Sequence, residues 1–376
     1  MIPQDTQRPG AEYIVLIALM ISIVALATDM MLPALDVIGQ DLRVARTNDT
    51  QMVVSAFFLG LASGQMLVGP LSDSFGRKPV IYAGYGIFLL GCLLSMLTTE
   101  WNLMLLGRVL QGFGAAAPRI VTVALVRDRY EGRAMARIMS IVMAVFILVP
   151  VLAPAIGQVL ISAAGWRATF AGLIVPALIA FVWFGLRLPE TQPREARSPF
   201  SLERVAQGLR SIVGNRRAMG YTVSTGFVFG SFLGYLSSAQ QIFDVTFGAG
   251  DLFALYFAIA ALAIGGASVV NSRLVMRLGM RRLSGIALTG VIGLSLAFLA
   301  VLIPMGGVPP LPLFIAWQLA AFFFVGLLFG NLTALSMEPL GKMAGLGAAF
   351  VGSLSTFMSL PLAWMIGHRF DGTVLP

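Results

Sequence analysis

Residues 69–79 read GPLSDSFGRKP and join two long apolar segments of the chain. The two glycines and two prolines of this stretch permit a tight turn, so the flanking segments are predicted to be antiparallel helices. Asp73 precedes Arg77 by four residues, a spacing at which a carboxylate and a guanidinium pair with each other or with a nearby helix end. The stretch therefore predicts a short basic turn with a local ion pair between two apolar helices.

Apolar segments long enough to cross a lipid bilayer recur along the whole chain of 376 residues. Hydrophobic residues make up 58% of the sequence and charged residues only 11%, about half of the quarter that is usual in soluble domains. Because a surface that faces water needs more charge, we predict an all-α membrane protein. The predicted spans are 13–35, 51–70, 80–98, 102–125, 137–161, 168–187, 217–243, 252–272, 284–304, 311–336 and 344–366.

The positive charges alternate between the connections of these spans. Of the 25 Lys and Arg residues, four lie on one set of loops and two lie within spans, whereas the other 19 lie on the alternate loops or near the N-terminus. This bias is typical of cytoplasmic loops, so we expect a multi-pass protein with a cytoplasmic N-terminus. It also accounts for the net charge of +8 without nucleic acid as a partner.

Few residues are available for catalysis or metal binding. The sequence has one cysteine, Cys92, and one histidine, His368, which leaves no basis for a disulfide framework, a metal site or a Ser-His-Asp triad. The phosphate-binding pattern G-x-x-x-x-G-K-[ST] is absent from the sequence as well. We therefore expect no catalytic residues, no metal and no cofactor, and we predict that the protein is not an enzyme.

The connection 188–216 is longer than the others and contains three prolines and several arginines. Its stretch 201–213 is predicted to form an amphipathic helix on the anionic inner leaflet. It divides the chain into an N-terminal bundle, 1–187, and a C-terminal bundle, 217–376, which match each other when shifted by roughly 200 residues. Under this shift the sixth span finds its partner beyond the end of the chain. We expect either a fragment that stops at the start of a twelfth span or a C-terminus outside the cell, and we favour the fragment.

Three strings resemble those of one known family. The pattern G-x-L-x-D-x-x-G-R-K at 69–78 resembles the signature loop of the major facilitator superfamily, and LLGRVLQGFGAA at 105–116 resembles its second motif. TDMMLPAL at 28–35 resembles a string of the drug:proton antiporters of the bicyclomycin and chloramphenicol resistance branch. The resemblance implies the major facilitator fold of two six-helix bundles, with the last helix missing from this chain, in a bacterial inner membrane.

The same resemblance implies a monomeric transporter that exports antibiotics and other small amphipathic or apolar substrates in exchange for protons. Two helical bundles would alternate between opposite openings, and the proton gradient would be the energy source. An exporter of a small metabolite, such as a sugar or a nucleoside, with the same fold and coupling is the alternative. A second, more remote alternative is a receptor or scaffold that does not transport any substrate.

The fifth span contains APAIGQ at 153–158, where drug antiporters of this superfamily have G-P-x-x-G-G. Pro154 and Gly157 match this pattern and are the predicted hinge. Ala153 and Gln158 stand at the flanking glycine positions, and this difference weakens the inference of antiport.

Asp29 is the predicted site of proton coupling. An acid within a span costs about 2.5–3.5 kcal/mol, and drug antiporters of this branch typically carry a membrane-embedded acid in the first span. Arg108 in the fourth span is its predicted counter-ion, since an unpaired arginine is not tolerated at that depth. The alternatives are that Asp29 lies near the outer boundary and is hydrated, and that the two residues form a static structural pair.

The basic turn after the second span is predicted to act as a latch that holds the cytoplasmic face closed when the opposite face is open. In the superfamily this loop is thought to pair with charges at the cytoplasmic ends of other spans. The predicted latch residues are Gly69, Asp73, Gly76, Arg77, Lys78, Asp128, Arg133 and Arg137.

Polar side chains within spans are predicted to line a substrate cavity. In the seventh span Gly226, Gly230 and Gly234 form a face for close helix contact, and hydroxyl side chains gather opposite them. Those hydroxyls alternatively bond back to their own helix. Arg119, about 20° around the helix from Arg108, is expected to extend to the cytoplasmic surface rather than to touch substrate. The predicted lining is Gln111, Tyr221, Ser231, Tyr235 and Gln318, with Phe57, Met143, Phe146 and Phe232 as apolar candidates.

Overall fold

The structure is a computed structural model that describes residues 10–197 and 199–375. The side chains of Arg133, Ala136, Ala196, Leu202, Arg204 and residues 341–346 lie outside the described part. The described chain forms thirteen α-helices. They are α1 (Ala11–Asp29), α2 (Leu35–Asp41), α3 (Met52–Phe75), α4 (Arg77–Leu97), α5 (Trp101–Arg129), α6 (Gly132–Ala164), α7 (Arg167–Arg187), α8 (Leu202–Gly214), α9 (Arg216–Gln241), α10 (Phe253–Leu278), α11 (Met280–Leu302), α12 (Leu311–Met337) and α13 (Ala344–His368).

Ten helical segments of the described chain are long and apolar enough to cross a membrane. α9, with 26 residues, has a similar length but contains more glycine and hydroxyl side chains. It lies against α13, where a Cβ atom at Gly226, Gly230 or Gly234 would collide with side chains of that helix. The long helices occupy the positions of the eleven predicted spans, and the predicted glycine face of α9 is confirmed.

The first span differs from a continuous helix. α1 ends at Asp29, and the chain passes through a 3₁₀ turn at Leu32–Ala34 before it continues as α2. Pro33 lies in this turn, and proline lacks the backbone N–H that a continuous α-helix requires. Asp29 therefore lies at a helix end inside the apolar segment Ala11–Asp41.

α5 packs closely against both α3 and α4. A Cβ atom added at Gly112 would lie 1.8 Å from the carbonyl oxygen of Phe57 on α3. On another side of α5, a Cβ atom added at Gly91 of α4 would lie 2.6 Å from the carbonyl oxygen of Gly107. Helices approach this closely only where small residues face the neighbouring backbone. α5 is therefore held between two close neighbours.

The connections define two ends of the bundle. The basic end carries the turn at Gly76 and the linker 188–215, which contain many of the arginines. The opposite end carries the connections 42–51 and 242–252 and the segment 369–375.

At the opposite end the two halves of the chain are joined by side-chain hydrogen bonds. Gln51 Nε2 donates to Gln241 Oε1 at 2.8 Å. Asn48 Nδ2 donates to the carbonyl oxygen of Phe370 at 2.8 Å and to that of His368 at 3.2 Å. The two halves are therefore closed against each other at this end.

α8 matches the predicted amphipathic helix of the linker. Its residue Ile212 is 2% exposed and belongs to an apolar cluster with Leu340, Phe350 and Val351, against which Leu209 also packs. The prediction that this helix lies on the inner leaflet is wrong, because its apolar face is buried against the start of the C-terminal helix α13 instead. Burying apolar surface on protein removes the driving force for lipid contact.

Candidate functional site

Arg108 is completely buried in α5. Its Nε atom donates to the carbonyl oxygen of Val53 on α3, and its Nη1 atom donates to the carbonyl oxygen of Ala27 on α1, both at 3.0 Å. Nη1 also donates to Gln111 Oε1 at 2.6 Å, and the guanidinium carbon lies 4.8 Å from the ring centroid of Phe57. These contacts tie α5 to α1 and α3 around one buried positive charge.

Asp29 is 6% exposed at the end of α1. Within the described part of the chain its carboxylate has no hydrogen bond and no ion pair. The structure does not form the predicted ion pair with Arg108, because carbonyl groups of α1 and α3 accept from that guanidinium instead. The burial of Asp29 also argues against the alternative that bulk water hydrates it. Its role in proton coupling stays a prediction.

α6 passes close to the segment that follows Asp29. A Cβ atom added at Gly157 would lie 2.1 Å from the carbonyl oxygen of Met30, so the two backbones meet without room for a side chain. Pro154 is buried inside α6, almost one turn earlier, where a proline removes one hydrogen bond of the helix. The predicted hinge residues thus lie beside the proposed coupling residue, and their motion stays a prediction.

Arg77 is the centre of an ion-pair cluster at the basic end. Its Nη1 atom donates to Asp73 Oδ1 at 2.5 Å and to Ser72 Oγ at 2.8 Å, and its Nε atom donates to Asp128 Oδ2 at 3.1 Å. The cluster joins the ends of α3, α4 and α5, all of which lie in the N-terminal half. The predicted pairing of Arg77 with both acids is present in the structure.

The first part of the linker binds to this cluster, a contact that the sequence analysis missed. Glu190 Oε1 accepts from the backbone N–H of Arg77, and Oε2 accepts from that of Lys78, both at 3.0 Å. Lys78 Nζ in turn donates to the carbonyl oxygens of Gly185 and Leu188 at the end of α7, each at 2.9 Å. The start of α4 is therefore capped by Glu190 of the linker, and the end of α7 is capped by Lys78 of α4.

The charge of Glu190 depends on these hydrogen bonds. Partial burial by itself raises the pKa of Glu190, but the backbone N–H groups of Gln192 and of the first turn of α4 lower it by more, so the pKa lies below its ordinary value. A carboxylate with a lowered pKa stabilises the folded state above its unfolded pKa and loses this effect as pH falls through the lowered value. The anchor is therefore fully formed at neutral pH.

Several predicted latch residues lie apart from these ion pairs. Gly69 faces α13 across the two halves, and Gly76 has a φ of +102°, a backbone conformation that favours glycine. Arg137 is exposed near the start of α6 and does not join the cluster, because Arg77 already pairs with both acids. The predicted contribution of Arg133 falls on a side chain outside the described part.

Gln318 of α12 and Tyr235 of α9 meet inside the C-terminal half. Gln318 Nε2 donates to Tyr235 Oη, and the Tyr235 ring packs edge-on against Phe322 with centroids 4.9 Å apart. Gln318 is completely buried, and its Oε1 atom has no hydrogen-bond partner among the described residues. An unpaired buried acceptor is costly, and the predicted role of Gln318 in lining a substrate cavity stays a prediction.

The other predicted polar lining residues are placed differently. Gln111 pairs with Arg108 rather than with the C-terminal half. Ser231 is exposed and donates to the carbonyl oxygen of Phe227, one turn earlier, at 3.1 Å. Tyr221 packs against an apolar cluster of α10, α11 and α12. The alternative that hydroxyls of α9 bond back to their own helix is right for Ser231.

An aromatic cluster joins the two halves in the interior. The ring centroids of Phe58 on α3 and Phe229 on α9 are 5.5 Å apart, and the Phe232 centroid lies 5.7 Å from that of Phe322. Phe329 completes the cluster at 5.6 Å from Phe232. Of this cluster, only Phe232 was predicted from the sequence to line the cavity. The other members were missed because ring contacts between different helices leave no pattern within any one span.

Glu190→Ala is expected to release the linker from the N-terminal half, because the carboxylate accepts from backbone N–H groups of α4. Trypsin should then cleave the folded protein after Arg194 and Arg197 about five-fold faster, a ratio that corresponds to about 1 kcal/mol. Mass spectrometry of the fragments measures the rate. Glu203→Ala, which removes an exposed carboxylate of α8, is the control, and equal cleavage rates in the two variants would contradict the anchor.

Comparison with known proteins identifies the family. A sequence model described as Major Facilitator Superfamily matches residues 17–362. The bicyclomycin resistance protein homolog of Haemophilus influenzae is 30% identical, over 99% of this chain and 93% of that protein. Multidrug resistance protein D of Escherichia coli is 28% identical, over 95% of this chain and 89% of that protein.

Solved structures give the same fold. The xylose transporter XylE from E. coli, in a partially occluded inward-open conformation, matches with a TM-score of 0.74 at 14% identity, over 96% of this chain and 92% of that one. The chain belongs to the Major Facilitator Superfamily, whose members are transporters rather than enzymes. The predicted family and fold class are confirmed, and the names of the relatives agree with the resemblance to the resistance branch.

Proposed function

We propose that this protein is a proton-coupled efflux transporter of a bacterial inner membrane, which exports antibiotics and other small amphipathic or apolar compounds by alternating access. Membership of the family and relatives named for bicyclomycin and multidrug resistance support the substrate class. The observation that carries the proton coupling is the burial of Asp29, without a partner among the described residues, where α1 ends.

Asp29 is placed to act on two neighbouring helices. A buried carboxyl group changes the local electrostatic energy strongly when it binds or releases a proton, because little water screens it. Ala27, two residues earlier, accepts from Arg108 of α5, and Met30, the next residue, contacts Gly157 of α6. A change of charge at Asp29 therefore acts on the packing of α1 against both α5 and α6.

The contacts between the halves support alternating access. Gln51 and Gln241 join the halves at the opposite end, whereas the ion pairs of Arg77 with Asp73 and Asp128 at the basic end lie within the N-terminal half. The bias of Lys and Arg supports a cytoplasmic basic end. With that orientation, the proposal assigns this structure to a state closed to the outside, and the outward-open state requires that the Gln51–Gln241 contact breaks.

Release of protons on substrate binding tests this proposal. Addition of a transported compound to the solubilised protein in weak buffer is expected to release about one proton for each molecule bound, because substrate and proton compete for one site. A pH-sensitive dye measures the release. Chloramphenicol and bicyclomycin are the antibiotic probes, and xylose and uridine are the metabolite probes. Release with a metabolite alone would favour the metabolite exporter, and release with none would contradict proton coupling.

A further inference from the structure

Arg119 is a charged residue of α5 that the proposed coupling does not use. It lies ten residues before Arg129, the last residue of α5, or about 15 Å along the helix axis. That distance exceeds the length of an arginine side chain, so the guanidinium does not reach the end of α5, and the expectation that it extends to the cytoplasmic membrane surface stays a prediction. The residue is exposed, and it forms no ion pair or hydrogen bond within the described part of the chain.

The position of Arg119 around α5 places it on an interior face. Leu106 is 48% exposed, and Phe113 and Ala117, on the same side of α5, line an apolar groove of 320 Å³ between α3 and α4. Arg119 lies roughly 220° around the helix from Leu106 at 100° per residue, and only about 20° from Arg108. Arg108 contacts α1 and α3, so Arg119 lies on the side of α5 that faces the gap between those helices.

Arg119 borders a buried strip of α5. Arg108, Ala115 and Val126 lie within about 20° of one another around the helix and are completely buried. Arg119 lies about 20° from Arg108 toward Val123, which is 38% exposed, and is itself exposed. The guanidinium of Arg119 is therefore accessible from the gap between α1 and α3.

The charges within the spans favour an anionic ligand at this position. Arg108 donates to two backbone carbonyls and to Gln111, whereas Arg119 has no partner among the described residues. The acids of the first apolar segment, Asp29 and Asp36, form no ion pair with Arg119. An unpaired guanidinium in poorly screened surroundings repels a cation and attracts an anion.

We propose that Arg119 binds a carboxylate group of the transported compound. The planar guanidinium presents paired N–H donors that match the two oxygens of a carboxylate. The apolar body of the same compound contacts the aromatic cluster, which joins the two halves. The inference rests on the proposed transport function and adds amphipathic compounds with a carboxylate group to its substrates.

Two dyes with the same xanthene ring system test the proposal on the full-length protein in detergent. Fluorescein is a carboxylate and is anionic near neutral pH, whereas rhodamine 6G carries an ester and is cationic. Fluorescence anisotropy is expected to show that wild type binds fluorescein more tightly than rhodamine 6G. Arg119→Gln should weaken fluorescein binding about ten-fold or more, since a hydrogen bond to a charged group is lost, and should not weaken rhodamine 6G binding.

Two further variants keep the test specific. Arg119→Lys retains the charge but not the paired N–H donors, so it should recover only part of the fluorescein affinity lost in Arg119→Gln. Arg127→Gln removes an exposed arginine near the end of α5 and should bind fluorescein as wild type does. An equal loss in Arg119→Gln and Arg127→Gln, or a wild type that does not prefer fluorescein, would overturn the proposal.

The dye-binding test of the carboxylate site can fail or succeed independently of the proton-release test of transport. Dye binding to solubilised protein needs neither a proton gradient nor Asp29. A preference for fluorescein without substrate-induced proton release would contradict the coupling and leave the carboxylate site standing. Proton release with antibiotics but without a fluorescein preference would contradict the carboxylate site alone.

Discussion

Asp29→Asn is expected to abolish active export while the protein stays folded. The substitution keeps the size of the side chain but removes the group that binds and releases the proton, and Asp29 has no partner among the described residues whose loss would destabilise the fold. Export driven by an imposed pH gradient should fall about 100-fold, in the range by which positioned proton-transfer groups contribute to rates. Exchange of substrate between the two sides without a gradient should persist. Both rates are measured with purified protein in liposomes.

Glu100→Gln is the matched control for this result. Glu100 is an exposed acid on the connection between α4 and α5 at the opposite end, so its neutralisation should leave export unchanged. Unchanged active export by Asp29→Asn would rule out the proton role. Loss of exchange together with a lower melting temperature would show that Asp29 is needed for the structure rather than for coupling.

Gly112→Ala is expected to destabilise the N-terminal half more than any surface substitution. The added Cβ atom would lie 1.8 Å from the carbonyl oxygen of Phe57, and both atoms belong to helices that cannot move apart without losing their other contacts. Overpacking of this kind costs about 3 kcal/mol. A thermal unfolding experiment in detergent should show a melting temperature lower by roughly 5 °C.

Gly86→Ala provides the control with the same chemical change. Gly86 lies in α4, and no atom lies within 4 Å of a Cβ atom added there. Because alanine favours the helix by about 1 kcal/mol over glycine, this variant should be as stable as wild type or slightly more stable. If Gly112→Ala melted at the same temperature as Gly86→Ala, the close approach of α3 and α5 would be contradicted.

The spans could be predicted from the sequence because a long apolar segment is a property of local composition. The predicted ends of the spans were less accurate than their number and order. The third span is predicted to begin at residue 80, whereas α4 begins at Arg77. The carboxylate of Glu190 supplies the acceptors for the first backbone N–H groups of α4, and it lies 113 residues further along the chain than Arg77. Nothing local to the turn indicates that contact.

The surroundings of Arg108 could not be predicted for a related reason. The sequence contains few charged residues within spans, so Asp29 and Arg108 were expected to pair with each other. The groups that accept from Arg108 include the backbone carbonyls of Ala27 and Val53. Every residue has a carbonyl group, so only the packing of α1 and α3 against α5 decides which of them reach the guanidinium.

The local signals that succeeded are those that depend on one helix or one turn. Asp73 and Arg77 pair at a spacing of four residues, and the glycines of α9 form one face against α13. Tyr235 and Gln318 were predicted separately, and their contact across α9 and α12 is visible only in the structure.

The glycine face of α9 has a consequence for biogenesis. α9 is not among the ten described helical segments that are apolar enough to cross a bilayer by their own composition, so a translocon releases it into lipid less readily than its neighbours. Its partner α13 is synthesised only after α10, α11 and α12. Until synthesis reaches that helix, α9 lacks the surface that covers its backbone, and an incomplete chain is an easier target for quality-control proteases than the finished transporter.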